Sequence, residues 1–139
     1  MEIIANAVQT VAANQNVYFT DSITSGSVSI QHRAGSGLVT LIGNTCQCRA
    51  RFKVSFGGNI ALPADGVAAP ISLALTINGE AVPSTIMTVT PTVVSAFFNV
   101  FSAFFVDVPR GTAITISVKN IGDAPIEVEN SNLIVERVA

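Results

Sequence analysis

The stretch AFFNVFSAFF, Ala96 to Phe105, decides how this chain folds. It holds five of the eight phenylalanines and no charged residue. A membrane-spanning helix needs roughly 18 apolar residues in a row. Extended to Val93–Val108, the stretch is interrupted by Ser95, Asn99, Ser102 and Asp107. A soluble helix has some support, because Thr92, Ser95, Asn99 and Ser102 recur at helical spacing, Pro91 suits a first turn and Thr90 a cap. Against it stand Val93, Val94, Val100 and the five phenylalanines, all better placed in strands, between neighbours that also read as strands. As a strand, the segment has two faces. Phe98, Val100, Ser102, Phe104, Val106 and Val108 form one, and Phe97, Asn99, Phe101, Ala103, Phe105 and Asp107 the other. Both are apolar, so both are expected to be covered: the first by the protomer core, the second by another copy of the chain, since no helix is predicted to lie on it.

Working outward, the rest of the chain reads as short strands between Gly, Pro, Asn and Asp. RFKVSF (Arg51–Phe56) alternates, with Phe52, Val54 and Phe56 on one side, and Gly57-Gly58 reads as a bend after it. Ala61–Pro70 reads as an irregular loop. ISLALTI points Ile71, Leu73, Leu75 and Ile77 inward. Asn78-Gly79 then gives the strongest hairpin signal, because both central positions of a type I′ turn need positive φ; it is expected to lead into Ser84–Thr90. VPRGT and IGDAP read as turns flanking AITISVKN, and IEVEN with NLIVERV as the last strand or strands. Val17–Phe19, Ser27–His32 and Leu38–Ile42 are further strand candidates in a less regular N-terminal third.

The 139 residues fit one domain, residues 1–139, large enough for a real core. Apolar residues make up 49% and charged residues only 12%, against a usual charged share of about 25%. So few charges would leave a monomer with apolar surface in water, and such surface usually marks an interface. The net charge of −2 supplies no basic stripe to neutralise phosphates. No nucleic-acid partner and no membrane partner is therefore expected. MEIIANAVQT has neither the basic start nor the apolar run of a signal peptide, so synthesis in a cytoplasm is the expectation. Met1–Val11 is read as ordered by pairing with a neighbour or with the chain's own sheet, and residues 1–16 as a docking arm.

The segments ARFKVSFGGNIAL, ISLALTINGEAV, FFNVFSAFFVDVPRGTAITISVKN and NLIVERV, taken in this order, resemble the tumour-necrosis-factor/complement-type jelly roll. Over residues 49–139, LALTINGEAVP and DVPRGTAITISVKN are also similar to the C-terminal domains of collagen-like surface proteins of spore-forming bacteria and to small virion proteins of their phages. The resemblance implies an all-β antiparallel jelly-roll sandwich packed as a homotrimer, with a long apolar strand along the threefold axis. No Gly-X-Y tract precedes the domain here, which favours a free-standing protein.

Few residues suggest chemistry. Cys46 and Cys48 form one C-x-C with no second pair or nearby His, a weak metal signal. They read as small buried hydrophobes or free thiols, with an inter-chain disulfide or a metal shared around a threefold axis as the alternatives. His32, the only histidine, has no framed nucleophile and reads as a surface side chain beside Arg33. Gly35–Gly37 lacks the Lys and helix of a phosphate loop. Asp65, Asp107 and Asp123 are isolated, and calcium needs converging carboxylates. Glu127, Glu129 and Glu136 read as a solvated strand face. A glycan platform has only Tyr18 and no Trp.

These readings predict a structural protein without enzymatic activity, catalytic residues, cofactor or metal. It is expected to trimerise through Phe97, Phe101 and Phe105 and to decorate a phage head, with the major capsid protein or another surface lattice as partner, placing it on the virion surface. The alternative is a trimerising surface domain of a bacterial cell or spore coat.

Overall fold

A computed structural model describes residues 1–24 and 28–139. AFFNVFSAFF is strand and not helix: Phe98–Pro109 forms a 12-residue strand, β10. Among the described residues, all the other elements are strands too, apart from one short 3-10 turn at Pro83–Thr85. The expected all-β class holds.

Two antiparallel sheets enclose the core. In sheet A, β10 lies at one edge and is followed by β6 (Arg49–Ala61), β12 (Ile126–Arg137), β1 (Glu2–Ala5) and β3 (Asp21–Thr24), with β2 (Gln9–Val11) also pairing with β12. In sheet B the order is β4 (Ile30–His32), β5 (Val39–Ile42), β11 (Ala113–Asn120), β7 (Ile71–Ile77) and β8 (Glu80–Ala81), with β9 (Met87–Val89) also pairing with β7. Period-2 alternation sends Ala50, Phe52, Val54, Phe56 and Ile60 of β6 inward, against Leu73 and Leu75 of β7 and Ile116 and Val118 of β11, all fully buried.

The inner row of β10 behaves as expected over most of its length. Val100, Val106 and Val108 are buried and Phe104 packs against the core from a half-buried position. Phe98 departs from the expectation. It lies in the same row but stays 39% exposed, at the start of an edge strand.

Several segments differ from their sequence reading. Gly57-Gly58 is no bend: β6 runs straight through it to Ala61. The glycines answer a crowding problem instead. A Cβ on Gly58 would meet the Phe56 ring at 3.2 Å and the Ser131 backbone at 3.3 Å, and one on Gly57 would meet Asn132 Oδ1 at 3.0 Å. The Ser131 and Asn132 contacts lie at a bulge in β12. Between Glu129 and Asn132 that strand advances three residues while β6 advances two, from Asn59 to Gly57, with Asn130 at φ 49°. The extra residue reverses the alternation, so Ile126 and Val128 point inward before it and Leu133 and Val135 after it. IEVEN and NLIVERV are therefore one strand with a phase slip.

Val17–Phe19 is not a strand. It is a loop whose Val17 and Phe19 side chains are fully buried and whose backbone is tied to Val118 and Ser36. The Asn78-Gly79 turn forms with φ 51° and 88°, but it returns into the two-residue β8, not directly into Ser84–Thr90. Within Ser27–His32 only Ile30–His32 is strand, and Ser27 lies outside the described residues. Residues 2–5 and 9–11 pair with β12 of the same chain, and Ile3, Ala5 and Val11 are buried. The N-terminal segment is thus ordered by its own sheet.

Candidate assembly surface

The outward face of sheet A carries the second row of β10. Register builds it strand by strand. Phe101 lies opposite Gly57, Gly57 opposite Asn132, and Asn132 opposite Ile4. The next row runs Ala103, Ser55, Ile134 and Glu2. Below it come Phe105, Lys53 and Glu136, and then Asp107 opposite Arg51. Phe101 is 67% exposed and Phe105 62%. Gly57 has no side chain to cover the Phe101 ring, whose Cδ2 lies 3.9 Å from where a Cβ would sit. Beside it is an open hollow of about 420 Å³, floored by Gly57 and Gly58 and bordered by Ile4 and Phe101.

Of the three residues expected at an interface, the structure puts two in this row. Phe97 precedes the first residue of β10 and is half-buried, so it does not continue the alternation. Ile134, 39% exposed, belongs to the surface and was not singled out from the sequence. The β12 phase slip turns it outward.

Both ends of the row are polar, and their groups are paired within the protomer. Asn99 Nδ2 donates to Gly58 O at 3.3 Å and to Asn59 Oδ1 at 3.2 Å. At the other end Arg51 grips Asp107 with two bonds, Nε to Oδ1 at 2.7 Å and Nη2 to Oδ2 at 3.1 Å. Arg49 Nε lies 3.1 Å from the same Oδ2. The hydrogen bonding from Arg51, with the charges of both arginines, holds the Asp107 carboxyl below the usual aspartate range and raises Arg51 in turn.

The other sequence candidates lie elsewhere and do not converge. Cys46 and Cys48 are free thiols and, contrary to the buried reading, exposed. They occupy a bend before β6, where the sheet's alternation does not yet apply. Arg110 binds this bend through Nη1 to Cys46 O at 3.4 Å and through its backbone N to Cys48 O at 2.9 Å. His32 is half-buried, not a surface side chain. Its Nε2 is 2.9 Å from the Ser36 carbonyl oxygen, and its ring meets the edge of Phe19 with centroids 6.5 Å apart. Glu127 and Glu129 are half-buried and Glu136 is exposed.

No protein-family model matches the sequence, and no curated protein matches it. Among solved structures, the globular domain of the zebrafish complement 1qA protein superposes with a TM-score of 0.61, at 12% identity, over 96% of this chain and 93% of its own. A family 35 carbohydrate-binding module from Cellvibrio japonicus Abf62 aligns over 100% of the chain and 98% of its own, at 10% identity, with a TM-score of only 0.41. The chain thus shares the jelly-roll fold of the complement 1q globular domain.

Proposed function

We propose that this protein is a structural homotrimer without enzymatic activity, assembled through the outward row of β10. The observation that carries the reading is the pair Phe101 and Phe105, both more than three-fifths exposed on one edge strand. Exposed apolar patches usually mark an interaction surface, and aromatic side chains are enriched at interfaces. The partner is a second and third copy. Likeness of fold to the complement 1q globular domain and the sequence resemblance over residues 49–139 favour three copies over two. Light scattering at micromolar concentration tests this: a mass about three times 14.4 kDa is expected, and a clean monomer removes the reading.

At a finer level, the trimer coats a larger surface, and a phage head is the surface we favour. The sequence resemblance to small virion proteins supports this. Co-sedimentation with emptied phage heads tests it. Retention in the supernatant at saturating capsid would move the assignment to a bacterial or spore surface.

A further inference from the structure

A second cleft lies at one end of the sandwich, lined by no residue of the outward β10 row. It measures about 660 Å³ and opens between the loop after β6 and the turn joining β11 to β12. Ligand sites commonly span about 300–1,000 Å³, with mostly apolar walls and a few placed polar groups. Leu62, Val67, Ile121 and Pro125 supply apolar wall, and Asp65 and Asp123 the only charges. No Lys, Arg or His lines the cleft, and both salt bridges among the described residues involve Asp107.

Both walls are held in place. Asn120 is fully buried. Its Nδ2 donates to Val11 O at 3.0 Å and to Ala124 O at 2.9 Å, and its Oδ1 accepts from Gly122 N at 3.0 Å, fixing the turn. On the other side Gly66 N donates to Pro63 O at 2.9 Å and Ser95 N to Leu62 O at 2.9 Å. The cleft is therefore preformed.

We propose that this cleft binds a segment of a partner protein in which a Lys or Arg is flanked by apolar residues. Two carboxylates with no cation beside them favour a cationic guest and oppose an acidic one. The apolar walls favour burial of the flanking side chains. Val67, on the cleft, is 82% exposed, and a peptide segment covers that surface where a small amine leaves it wet.

The test is a titration of the ¹⁵N-labelled full chain with acetyl-Leu-Lys-Leu-Pro-amide, with the Glu-for-Lys peptide and n-hexylamine in parallel. The Lys peptide is expected to shift the amides of Asp65, Gly66, Gly122, Asp123 and Ala124. The Glu peptide should bind at least tenfold more weakly, and so should the Lys peptide to the Asp65→Asn/Asp123→Asn variant. No shifts at these amides, equal binding of the Glu peptide, or full affinity in the variant would each overturn the proposal. Hexylamine binding as tightly as the peptide would overturn the protein partner. If the double variant melts lower than the parent, salt dependence in the unaltered protein decides: weakening with added NaCl supports the site, and indifference to it overturns it. The outcome leaves the trimer question untouched, because the two surfaces share no residue.

Discussion

Phe101→Ala separates assembly from folding. Burying a whole Phe side chain contributes about 1.5–3 kcal/mol. Phe101 is 67% exposed in the protomer, so about two thirds of that, roughly 1–2 kcal/mol, remains to be gained on association. In a threefold assembly the loss occurs three times, about 3–6 kcal/mol, which lowers the trimer association constant by about two to four decades. The protomer itself loses little. The ring faces Gly57, which offers no side chain to pack against, so the folding change should stay within about 0.5 kcal/mol. Phe56→Ala gives the contrast: Phe56 is fully buried, and its truncation should cost about 3–5 kcal/mol of protomer stability. Sedimentation velocity across a concentration series reads assembly, and urea unfolding at concentrations below assembly reads the protomer. Unchanged self-association in Phe101→Ala, or a urea midpoint lowered as far as in Phe56→Ala, would refute the reasoning.

Other outcomes follow from single contacts. Gly43→Ala should destabilise the fold by about 1–3 kcal/mol, because a Cβ there collides with the Pro109 carbonyl; an unchanged urea midpoint would show that the backbone yields freely. Cys46 and Cys48 are exposed, so maleimide should label two thiols per native chain at the rate of a free thiol, and labelling that needs denaturant contradicts this. Asp107 should titrate below ordinary aspartate by carboxyl NMR and return towards the ordinary range in Arg51→Ala, since Arg51 is the leading cause. Because the folded carboxyl is the stronger acid, its contribution is present above the unfolded aspartate pKa and is lost as pH falls through the folded one. Rising stability on acidification through that window, traced to Asp107, would reverse the sign.

What could be read from the sequence was what alternation and turn chemistry encode locally. β6, β7 and β11 alternate, and Asn78-Gly79 carries the positive φ of its turn. The misreadings arise where a distant partner decides. Gly57-Gly58 reads as a bend until the β12 bulge beside it is known, because much of what would crowd a Cβ comes from Asn132 and Ser131, more than seventy residues along the chain. Val17 and Phe19 look like strand residues because they are buried and apolar, yet their backbone is tied only by scattered bonds, Val17 N to Val118 O, Phe19 N to Ser36 O and Gly35 N to Phe19 O. Burial and propensity do not distinguish a strand from a core-plugging loop. β9 was displaced from its expected place opposite the hairpin because β8 takes the first position after the turn.

The candidate surface was half legible for the same reason. Alternation assigned Phe101 and Phe105 to one row, but it could not say that β10 is an edge strand, that Ile134 joins the row through a bulge, or how the polar ends are satisfied. That last point bears on whether the face can be covered at all. Burying a lone carboxylate costs several kcal/mol, and Asp107 lies one residue pair beyond Phe105. In the protomer it already accepts two bonds from Arg51 and lies 3.1 Å from Arg49, while Asn99 at the opposite end is bonded to Gly58 and Asn59. A second copy laid along the β10 row would therefore meet paired groups at both ends and exposed Phe101 and Phe105 between them, with Lys53 and Glu136 alongside Phe105. In the proposed assembly the two phenylalanines would supply the affinity, and the prepaired ends would reduce the cost of desolvating them.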